Sequence, residues 1–234
     1  MATKMMKKNS ARAFIGIWLL GGLVSQAHAV PILRLTSSAG GSVTVTDGGL
    51  LDSNASAGVV LFNGSVAGWV VNVTTGLSKP SIGSELEPIL DLNSVNVSSG
   101  GAGTLRIELT DTDFSRSGLL PAYAAIGGTT SGSVSYSTYF GSSNLAFEQT
   151  ASLADPIGPL LPTAFSSYSY GTFSAPDPYS LSLVVEVNHG SGGTQVSSFD
   201  AVLSVSEPNT VFLLGAGLLL AGIMLRRQRS SNSI

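Results

Sequence analysis

Histidine, cysteine and closely spaced carboxylates carry most side-chain chemistry, and this sequence is poor in all of them. It has no cysteine and two histidines. His28 lies in the N-terminal segment described below, which leaves His189, at the head of His189-Gly190-Ser191-Gly192-Gly193. A serine–histidine–aspartate site needs an imidazole held firmly as base beside its nucleophile. A Gly-Ser turn would hold His189 loosely, so a solvated turn residue is expected, and no Gly-x-Ser-x-Gly elbow accompanies it. One histidine without cysteine cannot assemble the usual zinc ligand sets. No catalytic, cofactor-binding or metal-binding residue is therefore assigned.

Two carboxylate pairs come closest to a site. Glu85 and Glu87 flank Leu86, and Asp111-Thr112-Asp113 follows a strand-like run. Acids two apart on a strand face the same way, so either pair could share a calcium ion or serve acid/base work. Asp111-Thr112-Asp113 is no EF-hand loop, because Ser115 and Arg116 stand where a third ligand and the glycine belong. Solvated strand ends explain both pairs more simply. Ser99-Gly100-Gly101-Ala102-Gly103 lacks the Lys-Ser/Thr of a phosphate loop and reads as a turn. Asn54, Asn63, Asn72 and Asn96 open Asn-x-Ser/Thr sequons, which a Ser/Thr-rich chain produces by chance. Trp69, Tyr136, Tyr139, Tyr168, Tyr170 and Tyr179 could line a carbohydrate-binding face, with core packing as the simpler role.

The elements that would position these residues read as strands. Leu105-Arg106-Ile107-Glu108-Leu109-Thr110 alternates apolar and polar, as do residues 181–187 and 199–205. Val43 and Val45 and residues 59–62, 69–73, 90–97 and 134–140 supply further runs. Between them fall turn signals: Asp47-Gly48-Gly49, Asn63-Gly64, 99–103, Gly127-Gly128 and 189–193, of which Asn63-Gly64 is the strongest hairpin signal. Residues 155–162, with prolines at 156, 159 and 162, read as a loop. No fixed-period repeat is visible. About ten short strands and almost no helical periodicity predict an all-β fold, a β-sandwich over residues 30–206. Its 177 residues are enough for one buried core without disulfides.

Charge is segregated along the chain. The overall balance is −3. Lys4, Lys7, Lys8 and Arg12 precede the first apolar run, and Arg226, Arg227 and Arg229 follow the last. Residues 30–206 keep four basic residues against thirteen acidic ones, a balance of −9, which disfavours nucleic acid and anionic surfaces as partners.

Both ends read as export signals. Residues 1–29 join a basic stretch, an apolar run at 13–24 and a small-residue site, Ala27-His28-Ala29, as a cleavable signal peptide does. Twelve apolar residues rise only about 18 Å as a helix, short of a bilayer core of about 30 Å. Residues 210–225 form a second apolar run, about 24 Å as a helix, closed by Arg226-Arg227-Gln228-Arg229 and a polar tail at 230–234. Arginines mark the cytoplasmic side, which places residues 30–206 outside and the C-terminus in the cytoplasm.

Ser206-Glu207-Pro208-Asn209-Thr210, then the Leu/Gly/Ala-rich run, then the arginines, resembles the PEP-CTERM sorting signal of Gram-negative bacteria. Glu207 and Pro208 stand at the second and third positions of the family's Pro-Glu-Pro motif, and Ser206 replaces its first proline. The resemblance implies residues 207–229 as a sorting segment, with the membrane protease exosortase as the processing enzyme. Pro208 breaks regular structure before the helix, which suits an exposed, extended cleavage segment. The chain is thus expected to meet the export machinery, signal peptidase, an exosortase-like protease and the inner membrane. It should cross that membrane once and end at the cell surface or in the matrix, with exopolysaccharide as a further partner. A structural or adhesive role is expected, ahead of a carbohydrate- or calcium-binding module and then a secreted hydrolase.

Overall fold

The structure, a computed structural model, describes residues 29–206. The expected signal peptide, sorting segment and membrane helix at 210–225 fall almost wholly outside the described residues. Among those described, no helix is long and apolar enough to cross a membrane.

Among the described residues, alternating apolar positions build thirteen antiparallel strands, more than the roughly ten expected, in two stacked sheets. The first seven are β1 (Ile32–Ser37), β2 (Gly41–Thr46), β3 (Val59–Val66), β4 (Trp69–Leu77), β5 (Ile89–Ser99), β6 (Gly103–Phe114) and β7 (Gly118–Thr130). They are followed by β8 (Ser133–Gly141), β9 (Ala151–Ser152), β10 (Ile157–Leu160), β11 (Ala164–Ala175), β12 (Tyr179–His189) and β13 (Gln195–Val205). One sheet runs β10-β8-β12-β6-β1-β2, with β9 on β8; the other runs β11-β7-β13-β5-β4-β3. The fold is all-β, as the alternation predicts.

The core lies between the sheets. Leu33, Leu35, Ile107, Leu109, Leu183 and Val185 face it from the seven-stranded sheet, and Leu90, Leu92, Val97, Ala124, Phe199 and Leu203 from the other. Every second residue along a strand points inward, so each strand turns its other face outward.

The two outer faces differ. On the seven-stranded sheet, Glu108 is clasped by Arg34 (2.7 Å) and Arg106 (3.1 Å), and Arg106 also holds Glu186 (2.7 Å). The segment between β8 and β9 folds over this face: Phe147 lies under the Arg34 guanidinium, and its N–H donates to Thr110 Oγ1. The six-stranded sheet contains no lysine or arginine.

Three expectations about local structure are corrected. Asn63-Gly64 lies inside β3, and the β3–β4 turn is Ala67-Gly68, with φ of 32° and 90°. Val66 and Trp69 are both core residues, so burying them requires the strands to continue past Asn63. Gly127-Gly128 is no turn either; both sit inside β7. Residues 157–160 are a short strand, not loop, because an edge strand tolerates Pro159 within it.

Candidate functional site: the open face of the six-stranded sheet

The outward residues of β11, β7, β13, β5 and β4 form one surface. Tyr168 and Tyr170, two apart on β11, point outward together and are 65% and 67% exposed. Strand pairing sets Tyr170 opposite Tyr123 on β7, and Tyr168 opposite Ala125. The three rings pack on one another, with centroids 5.0 Å apart for Tyr123–Tyr170, 5.6 Å for Tyr168–Tyr170 and 6.4 Å for Tyr123–Tyr168.

Beside the rings the floor drops. Ala125 and Gly127 carry almost no side chain, and Asp200 pairs with Gly127 from β13. Two adjoining depressions, of about 480 and 840 Å³, share Gly127 and Asp200 and extend from Tyr168 to Asn72 and Asn96. Polar groups rim this trough. A bulge in β5 sets Asn93 and Ser94 against the single residue Asp200. Ser94 takes φ of 55°, and its N–H donates to Asp200 Oδ1 at 2.6 Å, which fixes that carboxylate. Burial, and next the Asp200 charge, push the Asp91 carboxyl above its ordinary value, against a hydrogen bond from Asn93. At the far end Asn72 Nδ2 donates to Asn96 Oδ1 at 2.6 Å.

The expected candidates fall elsewhere. His189 is not a solvated turn residue: it ends β12, is 1% exposed, and stacks on Trp69 at 4.5 Å between centroids. Ser99 Oγ lies 2.8 Å from Nδ1, and Ser197 Oγ 2.9 Å from Nε2. Ser99 already donates to Gly101 O, so it accepts from Nδ1–H. A catalytic base would accept a proton from its serine, so the Ser99 contact has the opposite polarity. Ser197 is left to donate to Nε2, but it is buried with the ring, away from solvent. Burial pushes the His189 pKa down, which favours the neutral ring.

Asp111 is likewise no solvated strand end. It is fully buried, taking hydrogen bonds from Ser78 Oγ (2.6 Å) and Lys79 Nζ (2.9 Å). Burial raises its pKa; the Lys79 charge and these hydrogen bonds oppose the rise. Asp113, with φ of 57°, turns instead to Asn144. The two aspartates therefore do not converge. Glu85 and Glu87 are exposed in the loop between β4 and β5, not on a strand, and Glu85 lines a surface pocket with Lys79 and Pro80. Among the described residues no three acidic or histidine side chains form a metal-binding group.

The aromatic set divides. Trp69, Tyr136 and Tyr179 are buried and Tyr139 is half-buried, whereas Tyr168 and Tyr170 are on the surface. Tyr123 was the missing third ring; its place opposite Tyr170 depends on strand pairing that spacing along the chain does not reveal.

No curated protein is detectably similar to the chain. Among solved structures, a tailspike protein 4 enzymatically active domain of bacteriophage CBA120 is 15% identical, with a TM-score of 0.28, over 57% of this chain and 19% of that one. An isomalto-dextranase of Arthrobacter globiformis T6, complexed with panose, is 9% identical, with a TM-score of 0.23, over 62% and 23%. The chain thus spans about a fifth of each, and neither likeness bears on function. The sorting segment is another matter. Residues 204–229 match the PEP-CTERM protein-sorting motif, which makes this chain an exported protein carrying the signal that exosortase processes.

Proposed function

We propose that residues 30–206 act as a non-catalytic structural or adhesive component of the cell surface or extracellular matrix. A single C-terminal span, its arginines in the cytoplasm, holds the protein in the inner membrane until exosortase trims it near Glu207-Pro208. The observation that carries this reading is that the sorting motif begins on the sandwich's own last strand, at residue 204, so the sandwich is the cargo. Fractionation of exporting cells tests it. The trimmed protein should appear with surface or matrix material, and a chain found only in the cytoplasm would refute the reading.

A second reading, a carbohydrate-binding module, is favoured by the trough and its three stacked tyrosines. A secreted hydrolase has less support, since Asp111 faces Lys79 inside the protein and Glu85 stands apart in a loop.

A further inference from the structure

We infer that the outer face of the six-stranded sheet binds an uncharged, hydroxyl-rich polysaccharide chain. Tyr168 and Tyr170 would be its stacking platform, and Asp91, Asp200, Asn93 and Asn96 the row that receives its hydroxyls. The inference rests on the adhesive reading and names the ligand class. A sugar ring presents an apolar C–H face and an equatorial belt of hydroxyls. It is matched by exposed aromatic faces beside planar acceptors and amides, because the rings cover the C–H face while carboxylates and amides pair with hydroxyls.

Three features mark the trough as built for a ligand. First, two tyrosines about two-thirds exposed and one half-buried form a contiguous aromatic patch in a sheet whose other outward residues are mainly small or polar. Packed on one another, the rings have already lost much of the freedom that binding would otherwise remove. Second, Gly127 is not required by the fold. A Cβ there would meet nothing closer than 3.6 Å, whereas one on neighbouring Gly128 would meet Ser198 O at 2.2 Å. Glycine inside a strand weakens it, and one that no neighbour demands suits a site where a ligand approaches the backbone. Third, the Asp200 carboxylate is held by the Ser94 N–H, so its position is set in advance.

Charge and length define the partner. The sheet has no basic residue, and the trough holds Asp91 and Asp200, so an anionic polymer would be repelled. From β11 to β4 the face crosses five strands, about 19 Å at a spacing of about 4.8 Å, which suits an oligosaccharide stretch rather than one ring.

The test is affinity electrophoresis of the processed protein, recovered from exporting cells, in gels containing dextran, galactomannan, a linear β-glucan or alginate. Retardation by at least one neutral polymer and not by alginate is expected. The Tyr168→Ala/Tyr170→Ala variant should weaken binding roughly tenfold or more with its unfolding midpoint unchanged, since both side chains are exposed. Gly127→Thr, which fills the floor, should weaken it independently. Absence of retardation by every neutral polymer, equal binding to alginate, or full binding by both variants would overturn the inference. A protein that fractionates with the surface yet binds no neutral polymer would remove this site and leave the structural role standing.

Discussion

His189 sits in a directional chain of hydrogen bonds. Thr130 and Ser197 share a hydroxyl contact at 2.7 Å, Ser197 reaches Nε2, and Nδ1–H passes to Ser99 and on to Gly101 O. The ring is buried in its neutral form, with its pKa below the ordinary 6.5. Such a group contributes stability that is fully present above pH 6.5. That stability is lost as pH falls, because the unfolded chain takes up a proton that the buried ring resists. The unfolding midpoint should therefore drop below about pH 6.5, and His189→Gln should flatten that drop. Asp111 and Asp91, whose pKa values are raised, act in the opposite sense, so the difference between wild type and variant isolates the histidine. The Lys79–Asp111 pair gives a second prediction. Asp111→Ala strands a buried ammonium and should cost about 3–5 kcal/mol in urea unfolding, whereas Lys79→Met/Asp111→Leu should recover much of it. Neither cluster was legible in the sequence. Both join residues distant in the chain, and a flanking Gly-Ser run made His189 look solvated.

Strands were legible where large aliphatic residues alternate with polar ones, as in β6, β12 and β13. β7 and β11 were not, because Ala, Gly, Ser and Tyr give weak alternation, and these two strands carry the tyrosines. Gly127-Gly128 looks like a turn because glycine permits one, yet in β7 the pair serves two different ends. Gly128 lets β13 approach, since an added Cβ would lie 2.2 Å from Ser198 O; Gly127 leaves space over the trough. Gly128→Ala should thus be severely destabilising, while Gly127→Ala should leave stability unchanged or raise it by up to about 1 kcal/mol. Thermal unfolding of the two variants side by side checks this. Equal losses would mean that Gly127 is structural after all. At the β3–β4 turn, Gly68 has open space around it, so Gly68→Ala should cost only the backbone strain of its φ of 90°, about 1–2 kcal/mol.

At the scale of the whole molecule, the sandwich and its sorting signal meet without a spacer. The motif match starts at residue 204, while β13 runs to Val205. The Val205 N–H donates to Pro88 O at 2.9 Å, and the Ser206 N–H to Pro121 O at 3.1 Å. The backbone is thus held by the folded domain up to Ser206, next to Glu207-Pro208, where trimming is expected. A protease needs several residues in extended form, and the sandwich leaves almost none on its side of the site. Truncation before Glu207 should release a soluble domain, because the two sheets enclose a hydrophobic core of their own. Replacing Glu207 or Pro208 should leave an untrimmed, membrane-held chain. Inserting a short Gly-Ser spacer after Ser206 should speed trimming, since it adds flexible chain without disturbing either hydrogen bond. Mass spectrometry of surface and membrane fractions over time would read all three. If the spacer leaves the rate unchanged, the end of β13 does not limit access. If the full-length chain stays intact in a host that carries exosortase, the segment is a permanent anchor rather than a processed signal.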